Sequence, residues 1–240
     1  MTPRFFIAAP FGNYIKPKGT IPVTGTYTLY PRGNRLWSVL GTLRYSRSLG
    51  GWTNRLQLPN PGVKVGLDRQ IRGEVLSIAE VQRGDFKELV QIIPVNQSVE
   101  LNLSCPNLGN ALPWDSARVF TQTNVRKWCI AKLSPLTTPE QLSYLIDDLG
   151  FTQLHFSNTL PWRGAGGLSG HVLRPYTLEL IRLVRENWGD AVTIIAGGGV
   201  SDFGAVYEYL NEGANHVSLG SVCFNPFKLR KILKGRYDEN

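Results

Sequence analysis

Eight short apolar segments recur along the 240-residue chain and constrain its fold more than any other feature. In the second half of the chain, segments with helical periodicity separate them. This alternation predicts parallel strands joined by crossover helices, and eight such strands in about 250 residues are typical of one barrel domain. We therefore predict an α/β fold, a (β/α)8 TIM barrel in a single domain over residues 1–240. The predicted strands are 5–11, 21–29, 74–81, 99–105, 129–134, 153–159, 192–198 and 216–222.

The clearest helix start lies at Thr138, which is followed by Pro139 and by Gln141 at the position of a capping box. Gly150 is expected to end this helix. Further helices are predicted at 174–188, 202–213 and 225–233.

The first half of the chain is less regular. Only "GNYIKPKGT" separates the first two strands, and it is too short and too rich in Gly and Pro for a helix. We therefore expect the first crossover helix to be missing. The segment 31–61 is too long for a simple connection, and its aromatic residues Trp37, Tyr45 and Trp52 predict an ordered cover.

Composition narrows the class of protein. The chain is 42% hydrophobic and 18% charged, which is typical of a soluble globular protein, and no apolar run approaches the roughly 18 residues of a membrane span. The segment "FFIAAPF" is too short for a signal peptide. The three cysteines form no CxxC pair and the three histidines form no cluster. These patterns predict no metal site, no disulfide framework and a cytoplasmic location.

The net charge of +8 favours anionic ligands. The basic residues are scattered, and the densest group, "KLRKILKGR", has the pattern of the solvated face of a last helix. Nucleic-acid binding is therefore disfavoured, and a small anionic substrate is expected.

Polar residues alternate with apolar ones in the second, fourth and sixth predicted strands. A half-exposed antiparallel sheet has the same pattern, but crossover helices would cover the outside of a barrel and leave the polar face inside. Such convergence predicts a ligand pocket at the barrel interior. The alternating residues are Thr24, Thr26 and Thr28, then Glu100, Asn102 and Ser104, then Gln153, His155 and Ser157.

Glycines end the last two strands. "AGGGVSD" leads into a helix after strand seven, and "LGSV" closes strand eight. A glycine-rich turn can be a simple tight turn, but barrel enzymes often hold a phosphate with these two loops. We predict a phosphate site, belonging either to a cofactor or to a sugar-phosphate substrate.

Three residues at strand ends can carry chemistry. Cys105 ends "VELNLSC", and a thiol with a pKa of about 8.5 can act as a base or nucleophile. The plainer alternative is a small buried hydrophobic residue, which suits Cys129 and Cys223 better. Lys132 could neutralise an anionic ligand or simply reach solvent, and Asn158 offers both a donor and an acceptor.

The motifs "ELNLSCPN", "AKLSP", "SNTL", "GGLSG" and "IIAGGGVSDFGAVYEYLNEGANHVSLGS" resemble the dihydroorotate dehydrogenases in order and spacing from Val99 onward. "GTYTLYPRGN" and "NRLQLPNPGV" resemble that family more loosely. The resemblance implies an FMN-dependent barrel enzyme that oxidises dihydroorotate to orotate in pyrimidine biosynthesis. A cysteine at position 105 is similar to the soluble class of the family, whose members suggest a homodimer.

The same resemblance implies a role for each matching residue. Cys105 would be the base that removes a proton from the substrate ring while a hydride passes to flavin N5. Four asparagines would bind the pyrimidine: Asn54, Asn102, Asn107 and Asn158. FMN would be held by Ala9, Lys132, Ser157, Gly170, Gly198, Gly199, Gly220 and Ser221, with Lys132 at the ring edge.

The chain departs from the family pattern at two positions. Gly25 stands where the family has a lysine that touches flavin and substrate, and Gln57 stands where it has a glycine. Lys16 or Lys18 could replace the lost charge. Alternatives to dihydroorotate oxidation are therefore an FMN-binding member with another cyclic-amide substrate or without catalysis, and a sugar-phosphate isomerase or lyase. The sequence leaves the electron acceptor open, and NAD-linked turnover would need a partner subunit because no iron–sulfur cysteine cluster is present.

Overall fold

Eight parallel strands close into a barrel in the computed structural model, which describes residues 2–33, 41–55, 58–103, 114–123, 125–162 and 166–235. All eight predicted strands are present, and each is assigned an earlier end than the sequence predicted. Around the barrel, each strand pairs with the next and the last pairs with the first. In that order they are β1 (Phe5–Ile7), β12 (His216–Leu219), β11 (Thr193–Gly197), β8 (Gln153–Phe156), β7 (Cys129–Lys132), β6 (Val99–Asn102), β5 (Val75–Ile78) and β2 (Thr20–Tyr27).

A second, antiparallel sheet is built from insertions after β2 and β8. Its strands, in spatial order, are β3 (Arg44–Ser46), β4 (Gly51–Asn54), β10 (Gly166–Gly170) and β9 (Leu160–Trp162).

The described helices are α1 (Val63–Asp68), α2 (Asp85–Ile92), α3 (Arg118–Thr121), α4 (Pro139–Ser143), α5 (Arg174–Trp188), α6 (Phe203–Asn211) and α7 (Pro226–Gly235). The predicted capping box is confirmed, because the Thr138 hydroxyl accepts the Gln141 amide and the Gln141 side chain accepts the Thr138 amide. A π-helical turn, Tyr144–Asp148, extends α4 to Gly150.

Between β1 and β2, the described chain forms only a 3-10 turn, Phe11–Asn13, which confirms the missing crossover helix. The turn lies flat on β2, since a Cβ on Gly12 would stand 2.3 Å from the Val23 carbonyl oxygen. The Asn13 side-chain oxygen accepts the Gly25 amide and the Tyr27 hydroxyl. These contacts replace the helix that would otherwise cover this side of the barrel.

The lower barrel interior is an apolar plug. It consists of Phe6, Ile21, Val23, Val75, Trp128, Ile130 and Ile195. His216 packs edge-on against Trp128 and accepts the Arg4 amide through Nδ1, and its burial lowers its pKa to about 4. The plug closes the amino-terminal end of the barrel, so the polar residues above it can meet a ligand only from the carboxyl-terminal mouth.

Thr24 was expected in the interior and is instead on the outer face, where its hydroxyl bonds to the Gln70 side chain after α1. The pairing of β2 with β5 shifts register between Thr24 and Tyr27, which reverses the alternation. Thr26 does face the interior, where it contacts Ser77. A one-residue irregularity is enough to move a side chain across a sheet.

Aromatic contacts join the antiparallel sheet to the barrel. The Trp52 ring lies 4.5 Å from Phe224 and 5.3 Å from Tyr45, and Phe224 lies 4.9 Å from Phe11. The sheet therefore rests on the loops that follow β1 and β12, which supports the predicted cover. Trp37 lies outside the described residues. No described helix is long and apolar enough to cross a membrane.

Gly25 lies within the register shift between β2 and β5 and provides a test of it. Its φ is +101°, and a Cβ would stand 2.5 Å from the Ser77 carbonyl oxygen. Gly25→Ala should lower the free energy of unfolding by about 2–4 kcal/mol, the sum of a backbone cost and overpacking. The matched control is Gly73→Ala, at φ +95° with open space around the position, which should cost about 1 kcal/mol. Equal losses in urea unfolding of the two variants would contradict the close approach of β2 and β5.

Candidate functional site at the barrel mouth

A buried carboxylate occupies the centre of the barrel interior. Glu100 on β6 is fully buried and lies beside His155 on β8 and Lys132 on β7. Its Oε2 is 2.7 Å from His155 Nδ1, and its Oε1 is 3.7 Å from Lys132 Nζ. The Ser77 hydroxyl on β5 donates to Oε1 at 3.0 Å. Four neighbouring strands thus each contribute one side chain to a single charged cluster.

The charges of this cluster follow from its contacts. Burial alone would raise the pKa of Glu100, but the nearby Lys132 ammonium and the bond from His155 lower it to about 2. Burial lowers the pKa of His155, so the ring is neutral near pH 7 and donates its Nδ1–H to the carboxylate. The anion and the ammonium compensate each other inside the barrel.

Amide side chains lie above the carboxylate, toward the mouth. Asn102 Nδ2 donates to the Thr26 hydroxyl at 3.3 Å, and Asn158 Nδ2 donates to Asn102 Oδ1 at 2.8 Å. Asn158 is held at the end of β8 because its backbone amide donates to the Leu133 carbonyl. The structure therefore brings Asn102, Asn158 and Lys132 together, as the strand-end pattern predicted.

Asn54 lies on the cover sheet, in β4. Its side-chain nitrogen is 3.4 Å from the Gly167 carbonyl oxygen on β10. Gly167 in turn approaches Thr159 so closely that a Cβ would stand 2.4 Å from the threonine hydroxyl. The Thr159 amide donates to Asn158 Oδ1, so the cover sheet is joined to the amide side chains at the mouth.

Two consecutive glycines form the turn after β11, where the sequence predicted a phosphate site. Gly198 and Gly199 have φ of +88° and +71°, and a Cβ on either would stand 2.8 Å from a side chain at the start of α5. The Tyr209 hydroxyl bonds to the Gly198 carbonyl, and the Thr177 hydroxyl bonds to the Gly197 carbonyl. Backbone amides of a turn fixed in this way can approach an anion that a larger residue would exclude.

The other predicted cofactor residues lie around this turn. A Cβ on Gly199 would meet the Gly170 carbonyl oxygen at 3.0 Å, and the Ser157 hydroxyl bonds to Thr177 at 3.1 Å. Gly220 leads into the 3-10 turn Ser221–Phe224 after β12. Ala9 packs on the apolar plug at the end of β1. The ends of β1, β8, β11 and β12 therefore surround one side of the mouth.

Cys105, Asn107 and Gln57 lie outside the described residues, so their predicted roles stay predictions. The other two cysteines have the plainer role expected of them. Burial raises the pKa of Cys129 to about 11 and that of Cys223 to about 12, which keeps both thiols protonated.

The suggestion that Lys16 replaces the missing lysine is not supported by its position. Lys16 forms an ion pair with Glu74, the residue just before β5. This pair lies at the amino-terminal end of the barrel, away from the mouth.

Sequence reasoning missed two interior hydroxyl residues. Ser77 links Thr26 to Glu100, and Ser218 on β12 is buried with no hydrogen-bond partner for its hydroxyl. Each is a single polar residue between apolar neighbours, in "VLSI" and "HVSLG". A lone serine in an apolar strand was the available signal.

Glu100 should impose a pH dependence on stability. Its pKa is about 2 in the fold against an ordinary 4.5, so its stabilising contribution is present above about pH 4.5 and is lost as the pH falls toward 2. The loss is on the order of 3 kcal/mol. Unfolding free energies of the native protein and of Glu100→Gln, measured from pH 7 to the lowest pH at which both fold, should converge as the pH falls. A constant difference would show that Glu100 is not charged in the fold.

Comparison with known proteins identifies relatives of this chain. The dihydroorotate dehydrogenase family model matches residues 149–236. The catalytic subunit of dihydroorotate dehydrogenase B (NAD(+)) from Listeria monocytogenes serotype 4b (strain F2365) is 30% identical over 234 residues, with 82% of this chain and 76% of that protein covered. The subunit of the same name from Endomicrobium trichonymphae is 29% identical over 248 residues, covering 90% and 78%.

Solved structures agree on the fold. The crystal structure of the dihydroorotate dehydrogenase of Eimeria tenella in complex with ferulenol superposes with a TM-score of 0.77 at 21% identity, covering 97% of this chain and 79% of that one. The ligand-free type of the same enzyme gives a TM-score of 0.70 at 19% identity, covering 88% and 74%. Together with the barrel order and the relatives above, these findings lead to one conclusion: the chain belongs to the dihydroorotate dehydrogenase family, as a shortened and divergent member.

Proposed function

We propose that this protein is an FMN-dependent oxidoreductase acting on a CH–CH bond, and that it oxidises dihydroorotate to orotate within a single FMN-binding barrel domain. The observation that carries the proposal is the glycine turn after β11, which lies beside a mouth lined by Lys132, Asn102 and Asn158. A phosphate cradle next to a polar, largely buried interior is suited to a phosphorylated cofactor with a planar polar ring.

The residues present fit FMN. The turn at Gly198 and Gly199 is fixed by close packing against Leu173 and Arg174 at the start of α5, and its backbone amides would hold the phosphate. The buried Ser218 hydroxyl lacks a partner in the described structure, and a bound ring could supply one. The group would be held by Ala9, Lys132, Ser157, Gly170, Gly198, Gly199, Gly220 and Ser221. When bound, FMN supplies a two-electron acceptor.

The chain's own residues would orient the substrate and move its proton. Asn102 and Asn158 present amide donors and acceptors that match a cyclic amide, and Asn54 and Asn107 would complete the set. Cys105 follows Asn102 by three residues in the sequence, and barrel enzymes place reactive groups in the segments that follow their strands. Its thiolate would take the proton from the substrate ring carbon. The ammonium of Lys132 favours negative charge at the mouth.

One observation favours a second candidate, an FMN-binding member with a different cyclic-amide substrate or no catalysis. The resemblance places a lysine at position 25, but the backbone here has φ +101° and a Cβ would collide with the Ser77 carbonyl. The backbone at position 25 therefore has no space for a side chain, and the positive charge that a lysine would have supplied is missing from β2.

The route of the electrons beyond FMN is also proposed. The bacterial relatives carry the name of a catalytic subunit that uses NAD(+), so a separate subunit is the natural electron acceptor for this chain. The chain has three cysteines, two of which are structural, and could not hold an iron–sulfur cluster alone. Like the soluble class that it resembles, it would form a homodimer.

The cofactor assignment is tested by the absorption spectrum. The purified protein, as isolated or after addition of FMN, should show a flavin spectrum, and anaerobic dihydroorotate should bleach it. A protein that retains no flavin after FMN has been added and the unbound FMN removed contradicts the proposal. A flavin that binds but is not bleached favours the second candidate.

The role of Cys105 is tested by substitution. Cys105→Ser should slow the anaerobic reduction of bound FMN by about a hundredfold or more at pH 7, because a hydroxyl is a far weaker acid than a thiol. Cys129→Ser, a change at a half-buried thiol on β7, is the matched control and should leave the rate unchanged. An unchanged rate in Cys105→Ser would remove this thiol from the reaction.

A further inference from the structure

We propose that the buried Glu100 carboxylate, held by His155, is a positioning residue that sets the charge at Lys132 and the orientation of the amide groups at the mouth. The inference rests on the proposed FMN site and adds two residues, Glu100 and His155, that touch neither cofactor nor substrate in it. Both are at least 98% buried, so the effect of the carboxylate on its neighbours is little screened by water.

The hydrogen bonds between the mouth and the carboxylate run in one direction. Asn158 donates to Asn102, and Asn102 donates to Thr26, whose hydroxyl lies 3.0 Å from that of Ser77. Ser77 donates to Glu100 Oε1. Because Thr26 accepts from Asn102 and Ser77 gives its hydrogen to Glu100, the threonine must donate to the serine. Each donor therefore points toward the anion that ends the chain.

This direction fixes what the amides offer to a ligand. With the Asn102 nitrogen turned toward Thr26, its oxygen is turned toward Asn158, and the opposite arrangement would leave Ser77 and Thr26 without a consistent set of hydrogens. An acceptor that cannot also donate is needed at the end of the chain. Glu100 in its ionised form is that acceptor, and a glutamine could reverse the order.

His155 secures the second carboxylate oxygen. Its Nδ1–H donates to Oε2 at 2.7 Å, so the ring holds the carboxylate without adding a charge near pH 7. The cluster of Lys132, Glu100 and His155 is then neutral overall, and the carboxylate weakens the positive charge that Lys132 presents to a ligand. The described titratable groups that contact Glu100 are these two, Lys132 and His155.

The test uses the FMN-loaded protein and the midpoint potential of the bound flavin. Glu100→Gln removes the compensating charge and should favour reduced over oxidised FMN by about tenfold, which is about +30 mV for a two-electron couple. Lys132→Met should shift the potential in the opposite direction. The midpoint potential of the double variant should lie near the native value. If Glu100→Gln alone does not fold, the double variant should still fold, because it leaves no buried charge unpaired.

The matched control is Glu74→Gln. Glu74 is also a buried glutamate paired with a lysine, Lys16, but it lies at the other end of the barrel. The midpoint potential of FMN bound to Glu74→Gln should equal that of FMN bound to the native protein. The proposal is overturned if Glu100→Gln leaves the potential unchanged, if Glu74→Gln shifts it equally, or if the double variant shifts it as far as Lys132→Met.

A second readout needs no flavin and separates this proposal from the cofactor assignment. In the 15N-labelled protein without FMN, His155 should be a neutral imidazole protonated at Nδ1 at pH 7. An imidazolium, or the Nε2–H tautomer, would contradict the arrangement. If the protein binds no FMN, the proposed function fails, and the protonation state of His155 still decides whether the cluster is built as described.

Discussion

The ionised Glu100 in the middle of the barrel is the constraint on which the mouth depends. An isolated carboxylate is too costly to bury, so the strands around it must supply cations and donors. Lys132, His155 and Ser77 do so from three neighbouring strands. Since these contacts require a common level in the barrel, they fix the register of β5 to β8. That register also sets the positions of the asparagine side chains that lie nearer the mouth than Glu100.

The same barrel separates two environments along its axis. Below Glu100, the interior is an apolar plug around Phe6 and Ile130; above it, polar side chains continue to the open mouth. On the β11 and β12 side, the strands lead into glycines, at Gly198 and Gly199 and at Gly220. The proposed FMN site rests on this pairing of a charged cluster on one side of the mouth with glycine turns on another, which would suit a ligand with a polar ring at one end and a phosphate at the other.

Periodicity was sufficient to predict the eight barrel strands, the helices of the second half and the missing first crossover. It could not predict the cover sheet in full, because β9 and β10 are short and their segment, "TLPWRGAGGLSG", has the Gly-rich and Pro-containing pattern of a loop. At the site, the alternation in "VELN" and "QLHF" correctly indicated Glu100, Asn102 and His155. It failed at Thr24, because the register shift in β2 has no signal except a glycine. The pairing of His155 with Glu100 depends on strand order and could not be seen from spacing alone.

A crystal structure of the protein with FMN and orotate tests the central claim most directly. The account predicts the phosphate against Gly198, Gly199 and Gly220, the flavin ring beside Lys132, and orotate within hydrogen-bond distance of Asn102 and Asn158. The Glu100–His155 bond should persist beneath them. A flavin bound on another face of the barrel, or orotate contacting none of these asparagines, would contradict the account.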